Sequence, residues 1–210
     1  MNLSFITLTY LFARLSPFIL VSFFILNSFF NQDFKGIIYL VGVIFACFSS
    51  IIVGNTGFIR SFEESIGIGA GGNEVCNLVT IGENAGSVNG IPMGQTIISF
   101  TFFYLLTIIL WNKVAAGNIP TVVFFPIIIT FDFFWNLYND CHGPLSSIAA
   151  IIIGGGIGAL WAYVFLKNKF TSLLYFNSMG DKTVCDRPSK QLFRCEVYDN
   201  GKLISNHLTK

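Results

Sequence analysis

Between Gln95 and Leu166 the chain carries only three charged side chains, Lys113, Asp132 and Asp140. A water-soluble domain cannot leave so long a stretch uncharged, because it needs polar side chains on whatever faces water. A bilayer-spanning helix needs the opposite: about 20 consecutive, mostly apolar residues. The rest of the composition agrees. Of 210 residues, 53% are apolar, 16% aromatic and 11% charged, and the mean hydropathy is +0.69. Soluble domains carry about 25% charged residues. These values exclude a soluble enzyme, a nucleic-acid binder and a disordered chain. The expected fold class is all-α integral membrane, multi-pass, with the lipid bilayer as its first partner.

The pattern predicts about five transmembrane helices. The segment 1–16 is apolar but interrupted by Arg14, and no small-residue cleavage site follows a basic start. It reads as an interfacial helix leading into the bundle rather than a removed signal. The bundle is expected over 17–166. Its first span runs from Pro17 to Phe30 and its second from Gly36 to Gly54, with a polar turn between them. A loop follows from Asn55 to Gly94, rich in Gly and Asn, with one Arg against four Glu. Span three is Gln95 to Trp111, span four Ile119 to Trp135 and span five Ser146 to Leu166. Asp132, deep in span four, is expected to turn inward as a hydrogen-bonding residue.

Five spans put the two chain ends on opposite sides. The long loop and the Asn136–Leu145 loop then share one side; Lys35, Lys113 and the tail share the other. From Lys167 onward there are eight Lys/Arg against four Asp/Glu, which makes the tail side cytoplasmic. Within span five, Gly154/Gly158 and Gly155/Ala159 put small residues four apart, a spacing that lets helix backbones approach. Packing within the chain is the expected use, and a dimer face the alternative.

The tail, 167–210, differs in character. Glu196-Val197-Tyr198, then Asp199-Asn200-Gly201, then Lys202-Leu203-Ile204 reads as a β-hairpin with an Asn-Gly turn. An isolated hairpin is marginal, so it is expected to pack on a protein or membrane surface through Arg187, Lys190, Arg194 and Tyr198. Of the five cysteines, Cys47 lies within span two. Cys76 and Cys141 fall in the two loops of one side, where an oxidising compartment would allow a disulfide. Cys185 and Cys195 form a local disulfide or stay as two thiols, since two cysteines ten apart make no zinc signature. No metal or cofactor is expected.

Two segments carry a resemblance. Asn89-Gly90-Ile91-Pro92-Met93-Gly94-Gln95 opens span three, and Asn139-Asp140-Cys141-His142-Gly143-Pro144-Leu145 opens span five. In order and placement they resemble the type 2 phosphatidic acid phosphatase superfamily. The likeness covers about 16–166 and is strongest to the short forms of large DNA viruses and the dolichyl-diphosphatase branch. The family pattern is Lys-x6-Arg-Pro, then Pro-Ser-Gly-His, then Ser-Arg-x5-His-x3-Asp. The cations, a Ser hydroxyl and a backbone amide hold a phosphate. The last His attacks phosphorus, the Asp orients it, and the middle His protonates the leaving oxygen.

This chain departs from that pattern at nearly every catalytic position. Pro92-Met93-Gly94-Gln95 replaces the hydroxyl by a thioether and the acid by an amide that does not titrate. His142 matches the nucleophile. Trp135 stands for the Ser, Asn136 for the Arg and Ser146 for the Asp, and the long loop holds no Lys-x6-Arg-Pro. A phosphate dianion needs fixed positive charge, which these residues do not supply. The resemblance therefore implies a catalytically inactive relative with a structural role. Its viral branch implies the internal membrane of a large DNA virus, with the tail gripping capsid proteins. Two other readings stand beside this one. The first is an active lipid phosphatase with an atypical site at His142. The second is a lipid-binding or scramblase-like protein, in which Gln95 and Asn136 hold a neutral headgroup, or Asp132 and the Gly-rich helix line a groove.

Overall fold

The computed structural model describes residues 5–66, 90–139, 141–175, 194–199 and 202–208, with the backbone alone for 5–14 and the last two stretches. The chain divides into two compact units, Met1–Met179 and Gly180–Lys210. Among its described residues the first holds six α-helices: α1 (Phe5–Phe30), α2 (Lys35–Asn55), α3 (Phe58–Ser65), α4 (Met93–Trp111), α5 (Ile119–Tyr138) and α6 (Pro144–Lys167). A 3₁₀ turn, Ala115–Asn118, leads into α5, and another, Thr171–Leu173, follows α6. In the second unit, β1 (Arg194–Asp199) and β2 (Lys202–Leu208) pair antiparallel, with Arg194 opposite Leu208 and Asp199 opposite Lys202. Asn200, Gly201 and residues 176–193 lie outside the described residues.

Among the described residues four helical stretches are long and apolar enough to cross a membrane: Lys35–Asn55, Met93–Trp111, Ala115–Tyr138 and Pro144–Lys167. Each extends the expected span by one to four residues at an end. Two expectations change. The interfacial segment and span one are not separate pieces, because α1 runs unbroken from Phe5 to Phe30 with Pro17 inside it. A single charge such as Arg14 interrupts an apolar run without removing a backbone hydrogen bond, so it does not end a helix. A proline is tolerated where neighbouring helices support it, and Pro17 packs against the bare backbone at Gly94. The long loop is also not all loop. Gly57 takes a left-handed φ of 66°, which glycine adopts at little cost, and the chain turns there into α3.

The bundle buries polar residues beside an aromatic and aliphatic core and leaves many large apolar side chains exposed. Ser50, Gln95, Thr96, Ser99, Thr101, Asp132, Asn136, Ser146 and Ser147 are buried, while Phe18, Phe23, Phe48, Ile52, Phe134 and Ile152 are exposed. A lipid-facing bundle is built this way, since its helices associate through small residues and hydrogen bonds rather than apolar burial. The closest crossing is α6 on α4. A Cβ on Gly154 would collide with the Thr96 carbonyl, and one on Gly158 with the Phe100 carbonyl. The glycine stripe therefore packs within the chain. Because 154 meets 96 and 158 meets 100, the two helices run parallel. Helix α2 runs antiparallel to α4, as Ser50 Oγ bonds Thr96 Oγ1 at 3.0 Å and Tyr39 Oη bonds Thr101 Oγ1 at 2.6 Å. Trp161 Nε1 donates to the Ile38 carbonyl at 3.1 Å, tying α6 to α2.

The opposite end of the bundle is closed by the α1–α2 turn. Gly36 N donates to Ser28 Oγ at 2.9 Å, and Ser28 Oγ donates to Asp33 Oδ1 at 2.8 Å. Asp33 also pairs with Lys35 at 3.3 Å. Burial opposes ionisation of Asp33, but the Ser28 hydroxyl and Lys35 outweigh it and hold the carboxyl below its usual 3.8.

Candidate functional site

The C-terminal end of α2, the N-terminal ends of α4 and α6, the C-terminal end of α5, and α3 meet at one end of the bundle. The polar groups there come from four of these elements. Glu63, on α3, is only 5% exposed. Its carboxylate accepts from the backbone N–H of Ser146 and from Ser146 Oγ, both at 2.8 Å. Gly143 is pressed so close that a Cβ there would overlap the Glu63 carboxyl. Glu63 thus caps α6 across 83 positions of sequence. The first turn of a helix leaves N–H groups without intrahelical partners, and the helix dipole makes that end attractive to an anion. The chain's own carboxylate occupies it.

The remaining predicted residues fall as follows. Pro92 precedes α4, and its carbonyl accepts from Thr96 N and Thr96 Oγ1, both at 3.2 Å. Met93 and Gly94 are half-buried in the first turn of α4. Gln95 is completely buried, and neither atom of its amide finds a partner among the described residues. Asn136 is also completely buried; its Nδ2 donates to Asp132 Oδ2 at 3.1 Å, and its carbonyl accepts from Cys141 N at 2.9 Å. That last bond folds the turn carrying half-buried His142 back over the end of α5.

Cys141 is disulfide-bonded; Cys76, Cys185, Arg187 and Lys190 lie outside the described residues. Cys195, Arg194 and Tyr198 are described as backbone on β1. Cys47 is a free thiol, half-buried in α2.

The arrangement brings Ser146 to Glu63 and Asn136 to Asp132. Within the bundle, the cations whose side chains are described lie elsewhere. Arg60 pairs with Glu64 at 3.4 Å on the exposed side of α3, Lys35 pairs with Asp33, and Lys113, Lys167 and Lys169 follow the far ends of α4 and α6. Among the described residues no three His, Cys, Asp or Glu side chains gather as a metal site would require. The sequence reading missed Glu63, Ser99 and Ser147. A serine within an apolar span was a visible signal for Ser99, while Ser147 stands in the first turn of α6 beside Ser146. Glu63 carried none.

The fold and this polar centre define a class: a helical integral membrane protein with, among the described residues, four helices able to span and hydrogen-bonding residues buried beside an apolar core. No family model, curated protein or solved structure matches the chain.

Proposed function

We propose that this protein is a non-catalytic, multi-pass membrane scaffold. Its bundle follows the type 2 phosphatidic acid phosphatase plan without the chemistry, and its C-terminal unit engages a neighbouring protein layer. The observation that carries the reading is Glu63 on the N-terminus of α6. Under the resemblance, the segment entering α6 supplies the nucleophile and the phosphate site. Here that helix end is filled by a carboxylate, which would repel a phosphate. Asn136 and Ser146, standing where Arg and Asp are expected, serve instead to hold the bundle together. Gln95 cannot deliver a proton.

In this reading α1 is the fifth span, and α3 lies on the membrane surface with exposed Phe58 and Phe62 toward lipid and Glu63 toward the protein. The disulfide at Cys141 favours an oxidising compartment for that side, and the basic tail places the other side in the cytoplasm. The setting is the internal membrane of a large DNA virus, with capsid proteins as partners of the tail. That setting is carried by the resemblance alone.

The test has two arms. Purified protein is assayed for phosphate release from phosphatidate, lysophosphatidate, diacylglycerol pyrophosphate and an isoprenyl diphosphate, with His142→Ala as control. Removal of residues 180–210 is scored by crosslinking to neighbouring proteins and by incorporation into particles. The scaffold reading expects release no greater than the control, and loss of crosslinks and incorporation on truncation. Release that depends on His142 would establish the phosphatase reading, and normal incorporation of the truncated chain would remove the anchoring role.

A further inference from the structure

Helices α4 and α5 are joined by a short turn and run antiparallel, with the rings of Phe102 and Phe125 stacked at 5.9 Å between centroids. Two turns from that contact, in opposite sequence directions, stand Gln95 on α4 and Asp132 on α5. Equal displacements along antiparallel helices end at the same level, so Gln95 is level with Asp132. Ser99, one turn from Gln95 on the same α4 stripe, is level with Ile128 and Ile129. The buried residues of α5 are Phe125, Ile129, Asp132 and Asn136, a single stripe at helical spacing. The α4–α5 seam therefore changes along its length. Toward the α4–α5 turn it is aromatic. Toward the mouth it holds Gln95, Ser99, Asp132 and Asn136.

Gln95 and Ser99 are both completely buried. Gln95 Oε1, Gln95 Nε2 and Ser99 Oγ have no hydrogen-bond partner among the described residues. Leaving such a group unpaired in a buried site is costly, and an apolar side chain of similar size would avoid the cost. Helix α5 is also the least enclosed of the spans: 17% of its apolar stretch is buried, against 56% of α4's. It is the helix best placed to let a small group in.

We propose that the α4–α5 seam binds a neutral hydroxyl group, held by the Gln95 amide and the Ser99 hydroxyl at the level of Asp132. Both atoms of the Gln95 amide need a partner, so the ligand must both donate and accept. A hydroxyl does both. A metal ion would leave Nε2 unpaired, and an anion would face Asp132. The hydroxyl belongs either to an ordered water or to a neutral lipid with a glycerol headgroup.

The experiment is thermal unfolding of the full chain in detergent micelles, with and without 1-monooleoylglycerol, for wild type, Gln95→Leu and Ser99→Ala. A bound hydroxyl makes both substitutions lower the midpoint, by about 2–4 °C for each hydrogen bond lost. A loss already present in plain micelles assigns the hydroxyl to water. A wild-type midpoint that rises with 1-monooleoylglycerol, and does not rise in the variants, assigns it to the lipid. Midpoints unchanged or raised by both substitutions in both micelles overturn the proposal, because an empty seam gains by trading polar groups for hydrocarbon. Ser99→Ala, the smaller change, decides the matter if Gln95→Leu does not fold.

Discussion

Glu63 and Glu64 are neighbours with opposite fates. Glu64 is exposed and pairs with Arg60 across one helical turn, an arrangement worth about 0–1 kcal/mol. Glu63 is buried and holds both the backbone and the side chain of Ser146. Removing it leaves a buried N–H unpaired. Glu63→Ala is therefore expected to destabilise the bundle by about 1.5–3 kcal/mol, and Glu64→Ala by less than 1 kcal/mol. Denaturant unfolding in micelles reads the difference; equal effects would mean that Glu63 does not cap α6. Asp33 gives the residue-scale pH dependence. Its carboxyl is held below the usual 3.8 in the folded chain. The folded state therefore holds the ionised form more tightly than the unfolded state does. The stabilisation is complete above 3.8 and is lost as pH falls through the lower folded value. In Asp33→Asn this acid-dependent component of the unfolding midpoint should disappear, while any slope at higher pH stays.

Among the elements, α4 and α6 form the tightest pair, and their glycines are not equivalent. A Cβ at Gly154 would strike the backbone of α4, which cannot move aside as a side-chain tip can, whereas one at Gly156 would meet nothing within 4 Å. Gly154→Ala should cost about 1–3 kcal/mol through overpacking, and Gly156→Ala should be neutral or slightly stabilising. Thermal unfolding of the two variants side by side tests the parallel α4–α6 crossing, and a harmless Gly154→Ala would contradict it. The small-residue spacing of span five is plain in the sequence. Its partner is not, because any helix with an accommodating backbone would serve. The boundary errors have a physical origin too. Arg14 breaks the hydropathy of α1 without breaking its backbone hydrogen bonding, so a reading by hydropathy divides what the backbone keeps whole. In α3, eight residues with Arg60, Glu63 and Glu64 are too short and too charged to stand out from the loop around them.

At the scale of the whole molecule, the sequence by itself determined the environment and the place of four spans. The near absence of charge between Gln95 and Leu166 leaves a bilayer as the only solvent for that stretch, and four of the expected spans recur as helices within four residues of their predicted ends. That much follows from hydropathy, which is a property of each segment alone. The tertiary structure decided which helices touch, and so which polar residues meet. Ser146 finds Glu63 from 83 positions away, and Thr96 finds Ser50 from 46. In lipid these polar residues gain nothing from facing outward, so each is driven inward. The close crossing at Gly154 and Gly158 and the turn of the chain at Gly57 then set which partner each one meets. Such pairings depend on two segments at once, and no local pattern in either one announces them.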